Sequence, residues 1–483
     1  MESQQFDFGM IGLGVMGRNL LLNMADHGFA VIGFDLDAQK TNSLEAAATT
    51  GTNVKGVTTL AEMVNQLKTP RKIMMLVPAG KPVDNVIESL LPLIQQGDII
   101  IDGGNSHYVD TLRRVNYLHP KGFHFMGMGV SGGEQGARRG PSIMPGGDAD
   151  AYQHVKPLLE AIAAKVNDEP CTAYMGKDAA GHYVKMVHNG IEYAIMQLIS
   201  EVYDVLKRGL GLSNQELYET FKQWNEGELQ SFLVEITRDI FLQKDDATGK
   251  DLVDMILDKA GAKGTGKWTS QDAMDLPIAV PTIDVSVALR TISAYKEERV
   301  QAAALYKPTV KPIKGNKEAI IKQLHDALYF STVICYAQGL AMLYKASEEL
   351  KMDIPLKDVV KAWRGGCIIR STLLEVFYTA YNKKGKKLPN ILLDRSIASL
   401  LKKKDRNMRA AVKIASQNKM ACAALMSALA YFDAYTSEHM PTNLIQAQRD
   451  YFGAHTYQRI DKEGVFHTEW KSEANKIMSQ TVE

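Results

Sequence analysis

Four polar residues in the stretch GHYVKMVHNGIEYAIMQ stand at i, i+3, i+4 and i+7: Lys185, His188, Asn189 and Glu192. At roughly 100° per residue, seven steps bring Glu192 to within about 20° of Lys185, so a helix here lines all four along one stripe. A solvated polar stripe is the bland alternative. The neighbouring positions Tyr183, Val184, Met186, Val187, Ile191 and Ile195 are apolar, which argues for a largely buried helix instead. Burial disfavours the charged form at both ends of the stripe. A desolvated lysine loses its proton near neutrality and serves as a general base, while a desolvated carboxyl keeps its proton and serves as a donor. Such a pair suits proton removal and return on a small hydroxy acid.

Glycine-rich loops offer the anion contacts such a substrate needs. In IDGGNS, Gly103, Gly104 and Asn105 follow a strand pattern, and GVSGGEQGARRG adds Ser131, Gly132 and Gly133. The run GAKGTGKW, from Gly261 to Trp268, nearly matches a nucleotide-binding P-loop. Trp268 stands where a Ser or Thr would hold magnesium, and the run follows a helical pattern rather than a strand, so that reading fails. What remains, Lys263, Thr265 and backbone N–H groups, suits a phosphate or carboxylate. Arg290, in VALRTIS, has the fork to grip the same anion, although a structural ion pair is the competing reading.

The chemistry also needs an acceptor. Gly12, Gly14 and Gly17 take G-x-G-x-x-G spacing between a strand and an apolar-periodic helix, with Leu13, Val15 and Met16 completing the turn. The first glycine permits the tight turn, the second admits a pyrophosphate to the backbone, and the third allows helix and strand to pack closely. The helix N-terminus then faces the phosphates. Asp35 ends the second strand pattern 23 residues beyond Gly12, with no arginine after it. A carboxylate there accepts from both adenosine-ribose hydroxyls and repels a 2′-phosphate, which favours NAD over NADP.

The elements that must position these groups fall into two textures. Strand patterns at Phe6 to Ile11, Ala30 to Phe34, Lys72 to Val77, Asp98 to Ile101, Phe123 to Gly127 and Thr172 to Met175 alternate with helical segments. They predict a doubly wound, Rossmann-like α/β domain with a parallel sheet over residues 1–178. Strand signals then cease, and helical periods run from 179 to 437. The first is unusually long, from Ala179 to about Arg208, and stops at Gly209 and Gly211. Residues 438–483 are polar and aromatic, too sparse for their own core, and are expected to lie on another surface. The helical region aligns with itself: Lys185 to His188 matches Lys322 to His325, Trp224 matches Trp363, Gly227 matches Gly366, and SFLVEI from Ser231 matches STLLEV from Ser371. Only the first copy keeps the lysine–carboxylate pair, because Tyr329 stands at the place of Glu192.

The chain's 483 residues call for more than one domain, and 45% hydrophobic with 23% charged content is ordinary for a globular protein. With 56 basic against 55 acidic residues, no global field exists to hold nucleic acid. Cys171, Cys335, Cys367 and Cys422 are scattered, with no metal-ligand spacing, so no metal is expected and the thiols read as reduced. The polar start leads directly into a strand, and no apolar run is expected to approach the ~20 residues of a membrane span, so a cytoplasmic location is expected.

The strings GLGVMGRN, IDGGNS, GVSGGEQGARRGPSIMPGG, GHYVKMVHNGIEY, GTGKWT and QAQRDYFGAHTY, in this order over nearly the whole chain, resemble the decarboxylating 6-phosphogluconate dehydrogenase family. That resemblance implies a homodimer, a duplicated helical domain and a tail that enters the neighbouring subunit, where Arg449 and His455 complete the partner's site. It makes 6-phosphogluconate the substrate, Lys185 the base at the C3 hydroxyl and Glu192 the acid that protonates C1 after loss of CO2. It assigns Asn105, Ser131, Gly132, Gly133, His188, Asn189, Tyr193, Lys263, Thr265 and Arg290 to the substrate, and Val77, Pro78, Ala79 and Asn105, with the glycine turn, to the cofactor. Many members carry Asn-Arg-Thr after the second strand and a lysine at the position of Pro78. Asp35, Leu36 and Asp37 stand here instead, a departure that again favours NAD. Two other readings compete: a non-decarboxylating β-hydroxyacid dehydrogenase, whose members are much shorter, and a dinucleotide-binding module without catalysis.

Overall fold

A computed structural model of the chain describes residues 5–383 and 387–470. Seven strands form one sheet: β1 (Phe8–Ile11), β2 (Val31–Phe34), β3 (Val54–Val57), β4 (Lys72–Met75), β5 (Ile99–Asp102), β6 (His124–Ser131) and β7 (Ser142–Gly147). Their order is β3-β2-β1-β4-β5-β6-β7, with every pairing parallel except β6 with β7. The order reverses between β1 and β4, the crevice where open α/β sheets bind ligands beyond the carboxyl ends of their strands.

Three segments depart from the sequence reading. β3 and β7 were not expected, and Thr172 to Met175 makes only a bridge from Thr172 to Ile143 and a bond from the Met175 N–H to the Pro145 carbonyl. β7 reads Ser-Ile-Met-Pro-Gly-Gly, which looks like a turn. It lies at the sheet's edge, where the missing N–H of Pro145 is tolerated. The sheet is therefore mixed, not wholly parallel.

The helices used below are α1 (Val15–Asp26), α2 (Tyr108–Leu118), α3 (Ala180–Asp204), α4 (Thr265–Asp275), α5 (Pro281–Ala294), α6 (Lys317–Glu349), α7 (Leu356–Trp363), α8 (Arg395–Gln417), α9 (Ala423–Tyr435) and α10 (Thr442–Gly453). The expected long helix is present as α3, followed by a wide turn over Val205–Gly209 and a left-handed Gly211. α3 is pressed hard onto the sheet: a Cβ at Gly181 would lie 2.1 Å from the Gly127 carbonyl oxygen, and one at Gly129 would lie 2.5 Å from the Lys185 Cβ. Glycine on both sides is what lets the helix bring Lys185 directly under β6.

α6 is long and apolar enough to cross a membrane by length and composition, contrary to the expectation that no apolar run approaches that length. Of its most apolar 18-residue window, 94% is buried within the chain. The chain divides into two compact units, Met1–Leu429, which holds the sheet and most helices, and Ala430–Glu483.

The self-alignment appears in space as reciprocal packing. The His188 ring meets Trp363 edge-on at 5.8 Å, and His325 meets Trp224 in the same way at 5.6 Å. Each copy's histidine thus rests on the other copy's tryptophan. Ser231 and Ser371, which align, pair across an antiparallel bridge.

Candidate active site

Four neighbouring strand ends, those of β1, β4, β5 and β6, and α3 build the site. After β1 the glycine turn has the geometry its sequence implies. Gly12 takes a left-handed φ of 92°, a Cβ at Gly17 would lie 2.0 Å from the Gly12 oxygen, and a Cβ at Gly14 would meet nothing within 4 Å. The open face at Gly14, which caps the N-terminus of α1, fits a pyrophosphate group. Asp35 braces this turn by accepting the Leu13 N–H at 2.9 Å. Burial alone would raise the Asp35 pKa, but donors from Asp37 and Leu13 and the Lys40 ammonium outweigh it and hold the carboxyl below its usual range. Lys40, 3.3 Å from both carboxylate oxygens, is a cation the sequence reading missed. It stands five residues on, inside the next helix, where no motif announces it.

Beyond β4 lie Val77, Pro78 and Ala79. The Val77 oxygen sits beside Gly104, and a Cβ added to Gly104 would be 3.4 Å from it. Beyond β5, Asp102 ties its own turn by accepting the Gly104 N–H and the Ser106 hydroxyl, which leaves Asn105 exposed at the tip. Buried Arg114 holds the two loops together by donating to the Gly80 carbonyl and to Asp84 and Asp102.

Beneath β6 runs the polar stripe, buried as its apolar neighbours implied except at Glu192, whose side chain is 21% exposed. Lys185, His188 and Asn189 are all buried, and among the described residues no hydrogen bond or ion pair engages the Lys185 ammonium. Desolvation pushes Lys185 below the usual lysine range against the opposing pull of Glu192 and Cys367. It likewise raises Glu192, which Lys185 and Arg290 pull back. His188 is held neutral, well below the usual imidazole range, by burial and by the Lys185 charge. Its Nδ1 meets the Asn189 Oδ1 at 3.0 Å and lies 3.9 Å from Glu192, and its Nε2 lies 3.5 Å from the Ser131 Oγ at the end of β6. Gly132 and Gly133, both with positive φ, turn the chain into the next helix.

Tyr193, one residue past Glu192, gathers the anion loop. Its hydroxyl accepts the Lys263 N–H at 3.3 Å, and the Arg290 guanidinium lies over its ring at 3.5 Å. Arg290 also donates to the Gly261 carbonyl. Thr265 opens α4 next to a left-handed Gly264. A cleft of about 780 Å³ is lined here by Tyr193, Gly261, Gly264, Lys267 and Arg290 among others. Arg449 on α10 and His455 just after it are exposed and belong to the second unit.

The fold also assembles a trio that the sequence did not suggest. Glu228, His325 and Asp326 place metal-ligand-type atoms within 4.8 Å of one another. The Lys404 ammonium already bridges the two carboxylates, at 2.7 Å from Glu228 and 3.0 Å from Asp326. All four cysteines are free and buried.

Two family models match the chain. Residues 7–188 match the model of the NAD binding domain of 6-phosphogluconate dehydrogenase, and residues 181–470 match that of the C-terminal domain of 6-phosphogluconate dehydrogenase. The chain is 53% identical over 471 residues to the NADP(+)-dependent, decarboxylating 6-phosphogluconate dehydrogenase of Bacillus subtilis, covering 97% of this chain and all of that one. It is 48% identical over 472 residues to the decarboxylating enzyme of Escherichia coli, again with 97% and 100% coverage. The solved Plasmodium falciparum 6-phosphogluconate dehydrogenase, described with its cofactor NADP+ and its substrate 6-phosphogluconate, superposes with a TM-score of 0.92 at 44% identity, over 96% of this chain and all of that one.

Proposed function

We propose, from the premise that the chain belongs to the 6-phosphogluconate dehydrogenase family, that it oxidises and decarboxylates 6-phosphogluconate to ribulose 5-phosphate and CO2. The observation that carries the mechanism is an unpaired, buried Lys185 one helical stripe from a half-buried Glu192, on the helix packed against the sheet of the glycine turn and next to the residues Lys263 and Arg290.

Gly12, Leu13, Gly14, Val15, Met16, Gly17, Asp35, Val77, Pro78, Ala79 and Asn105 would hold the dinucleotide. When bound, the dinucleotide would supply the hydride acceptor for oxidation at C3. Neutral Lys185 removes the C3 hydroxyl proton, leaving a 3-keto acid whose carboxylate is β to the new carbonyl. As CO2 departs, protonated Lys185 stabilises the developing enolate oxygen. Glu192, kept protonated by desolvation, then delivers a proton to C1 of the enediol. His188, Asn189 and Ser131, with Gly132 and Gly133, hold the sugar-acid end, while Tyr193, Lys263, Thr265 and Arg290 hold the phosphate end. The working form is a homodimer in which Arg449 and His455 of one protomer complete the site of its partner.

Asp35 makes NAD the preferred cofactor in this reading. Lys40 favours the alternative, NADP, because its ammonium offers a 2′-phosphate a counter-charge. Initial rates with 6-phosphogluconate and each cofactor, with CO2 trapped in parallel, test the whole assignment. Reduction of the nicotinamide without CO2 release would point to a non-decarboxylating β-hydroxyacid dehydrogenase. Cofactor binding without turnover would point to a non-catalytic module.

A further inference from the structure

One carboxylate away from the proton-transfer stripe receives two phenols at once. Asp272, on the buried face of α4, accepts hydrogen bonds from the Tyr108 hydroxyl at one oxygen and from the Tyr183 hydroxyl at the other. The two tyrosine rings also meet edge-on at 4.8 Å. Each of the three residues sits on a segment that carries part of the site. Tyr108 begins α2, three residues after Asn105. Tyr183 lies two residues before Lys185 on α3. Asp272 lies seven residues, about two turns, after Thr265 on α4. A second contact follows the same line, with His107 packed on Trp268 at 4.6 Å between ring centres.

We propose that Asp272 is a positioning residue that, through Tyr108 and Tyr183, fixes the loop bearing Asn105 and the loop bearing Lys263 and Thr265 in register with Lys185. The inference rests on the site assigned above. The two bonds differ in what they join. Tyr183–Asp272 links two helices already packed through Gly190, where an added Cβ would lie 2.7 Å from Thr269. Tyr108–Asp272 reaches from the helices to the segment that follows β5 of the sheet. The second bond is therefore the one that sets how far the Asn105 loop stands from the anion loop. A carboxylate suits the place because both partners are donors; an amide has one acceptor oxygen and would turn its NH2 toward the second phenol.

The test is Tyr108→Phe, which removes one hydroxyl and keeps the ring. Its expected effect is a fall of about tenfold in kcat/KM for 6-phosphogluconate, carried mainly by KM, with the thermal midpoint nearly unchanged. Asp272→Asn should fall in the same direction. The deciding measurement repeats Tyr108→Phe in an Asn105→Ala background. If the hydroxyl acts by holding Asn105, the second substitution adds less than about twofold. The same tenfold loss in both backgrounds overturns the inference, as does Tyr108→Phe with wild-type kinetics. If Asn105→Ala alone leaves kcat/KM intact, the assignment of Asn105 fails and takes the clamp with it. If Asn105→Ala is impaired and the tenfold penalty persists, only the clamp fails.

Discussion

Asp35→Asn should shift cofactor preference toward NADP. The substitution keeps an oxygen to accept the Leu13 N–H, so the glycine turn keeps its brace while the charge is lost. A phosphate of charge about −2 set ~5 Å from a carboxylate is repelled by about 2 kcal/mol at the dielectric constant of water and by about 7 at an effective value of 20. The Asp35 side chain is 12% exposed but Lys40, its ion-pair partner, is 46% exposed, so solvent enters on one side and the lower figure is the nearer one. Lys40 cancels part of even that, because its ammonium attracts the same phosphate. The residue left for Asp35 is about 1–2 kcal/mol, which translates into a rise of about tenfold in the ratio of kcat/KM for NADP to that for NAD. Lys40→Ala should move the ratio about tenfold the other way, since it strips the counter-charge and leaves the carboxylate bare. Initial-rate measurements at fixed saturating 6-phosphogluconate and low ionic strength give both ratios. An Asp35→Asn ratio within twofold of the parent, or a Lys40→Ala ratio that rises, would show that this pair does not face the ribose.

Lys185→Ala should abolish detectable hydride transfer, whereas Glu192→Gln should retain oxidation and lose most product formation; in Glu192→Gln the alkaline limb of the pH–rate profile should also flatten, because the amide has no proton to lose. Glu201, buried on α3, accepts the Ala424 and Leu425 N–H groups at the start of α9, and burial nevertheless pushes its pKa up to about 7. A raised carboxyl favours the folded state in its protonated form, so this stabilisation is complete below about 4.5 and is lost as pH rises through about 7. The wild-type thermal midpoint should therefore fall between pH 5 and pH 8 by more than that of Glu201→Gln, and parallel slopes would rule the group out. Lys404→Met should cost about 2 kcal/mol in denaturant unfolding, below the full value for a broken buried pair, because Asp326 keeps Lys322 and Asn407 as partners; an unchanged midpoint would contradict that ledger.

What was legible in the chain follows from the range of the interactions involved. Lys185, His188, Asn189 and Glu192 share a face through helix periodicity alone, and the Gly12–Gly17 turn needs only a strand before it and a helix after it. Both could be read locally. Tyr193 as the platform for Arg290 could not, because the stacking depends on how α5 crosses α3, 97 residues apart in sequence. Asp272 was invisible for the same reason: nothing near it in sequence distinguishes it from a solvated helical aspartate. β3 escaped notice because it is an edge strand of four residues with a glycine at its centre, where Gly56 admits the Thr41 backbone so closely that a Cβ would lie 2.7 Å from its oxygen. Tertiary contact, not local propensity, makes that segment a strand.

The two helical copies show why only one of them is built for proton transfer. Both seat a histidine on the other copy's tryptophan, and both set its Nδ1 against the next side chain, Asn189 at 3.0 Å in the first and Asp326 at 3.1 Å in the second. Their charges diverge from there. Burial would raise the Asp326 pKa, but His325, Lys322, Asn407 and Lys404 hold it far below the carboxylate range. Lys404 also lies over the ring of Tyr329, the residue at the place of Glu192. The second copy thus sets its polar groups against one another, with Lys322 and Lys404 both paired to Asp326. In the first copy a neutral amide replaces the aspartate, so Lys185 is left with desolvation unopposed except by Glu192 and Cys367. Burial and the absence of a paired carboxylate thus separate the two lysines together: Lys185 is buried beside a neutral amide, whereas Lys322 is 60% exposed and ion-paired with Asp326.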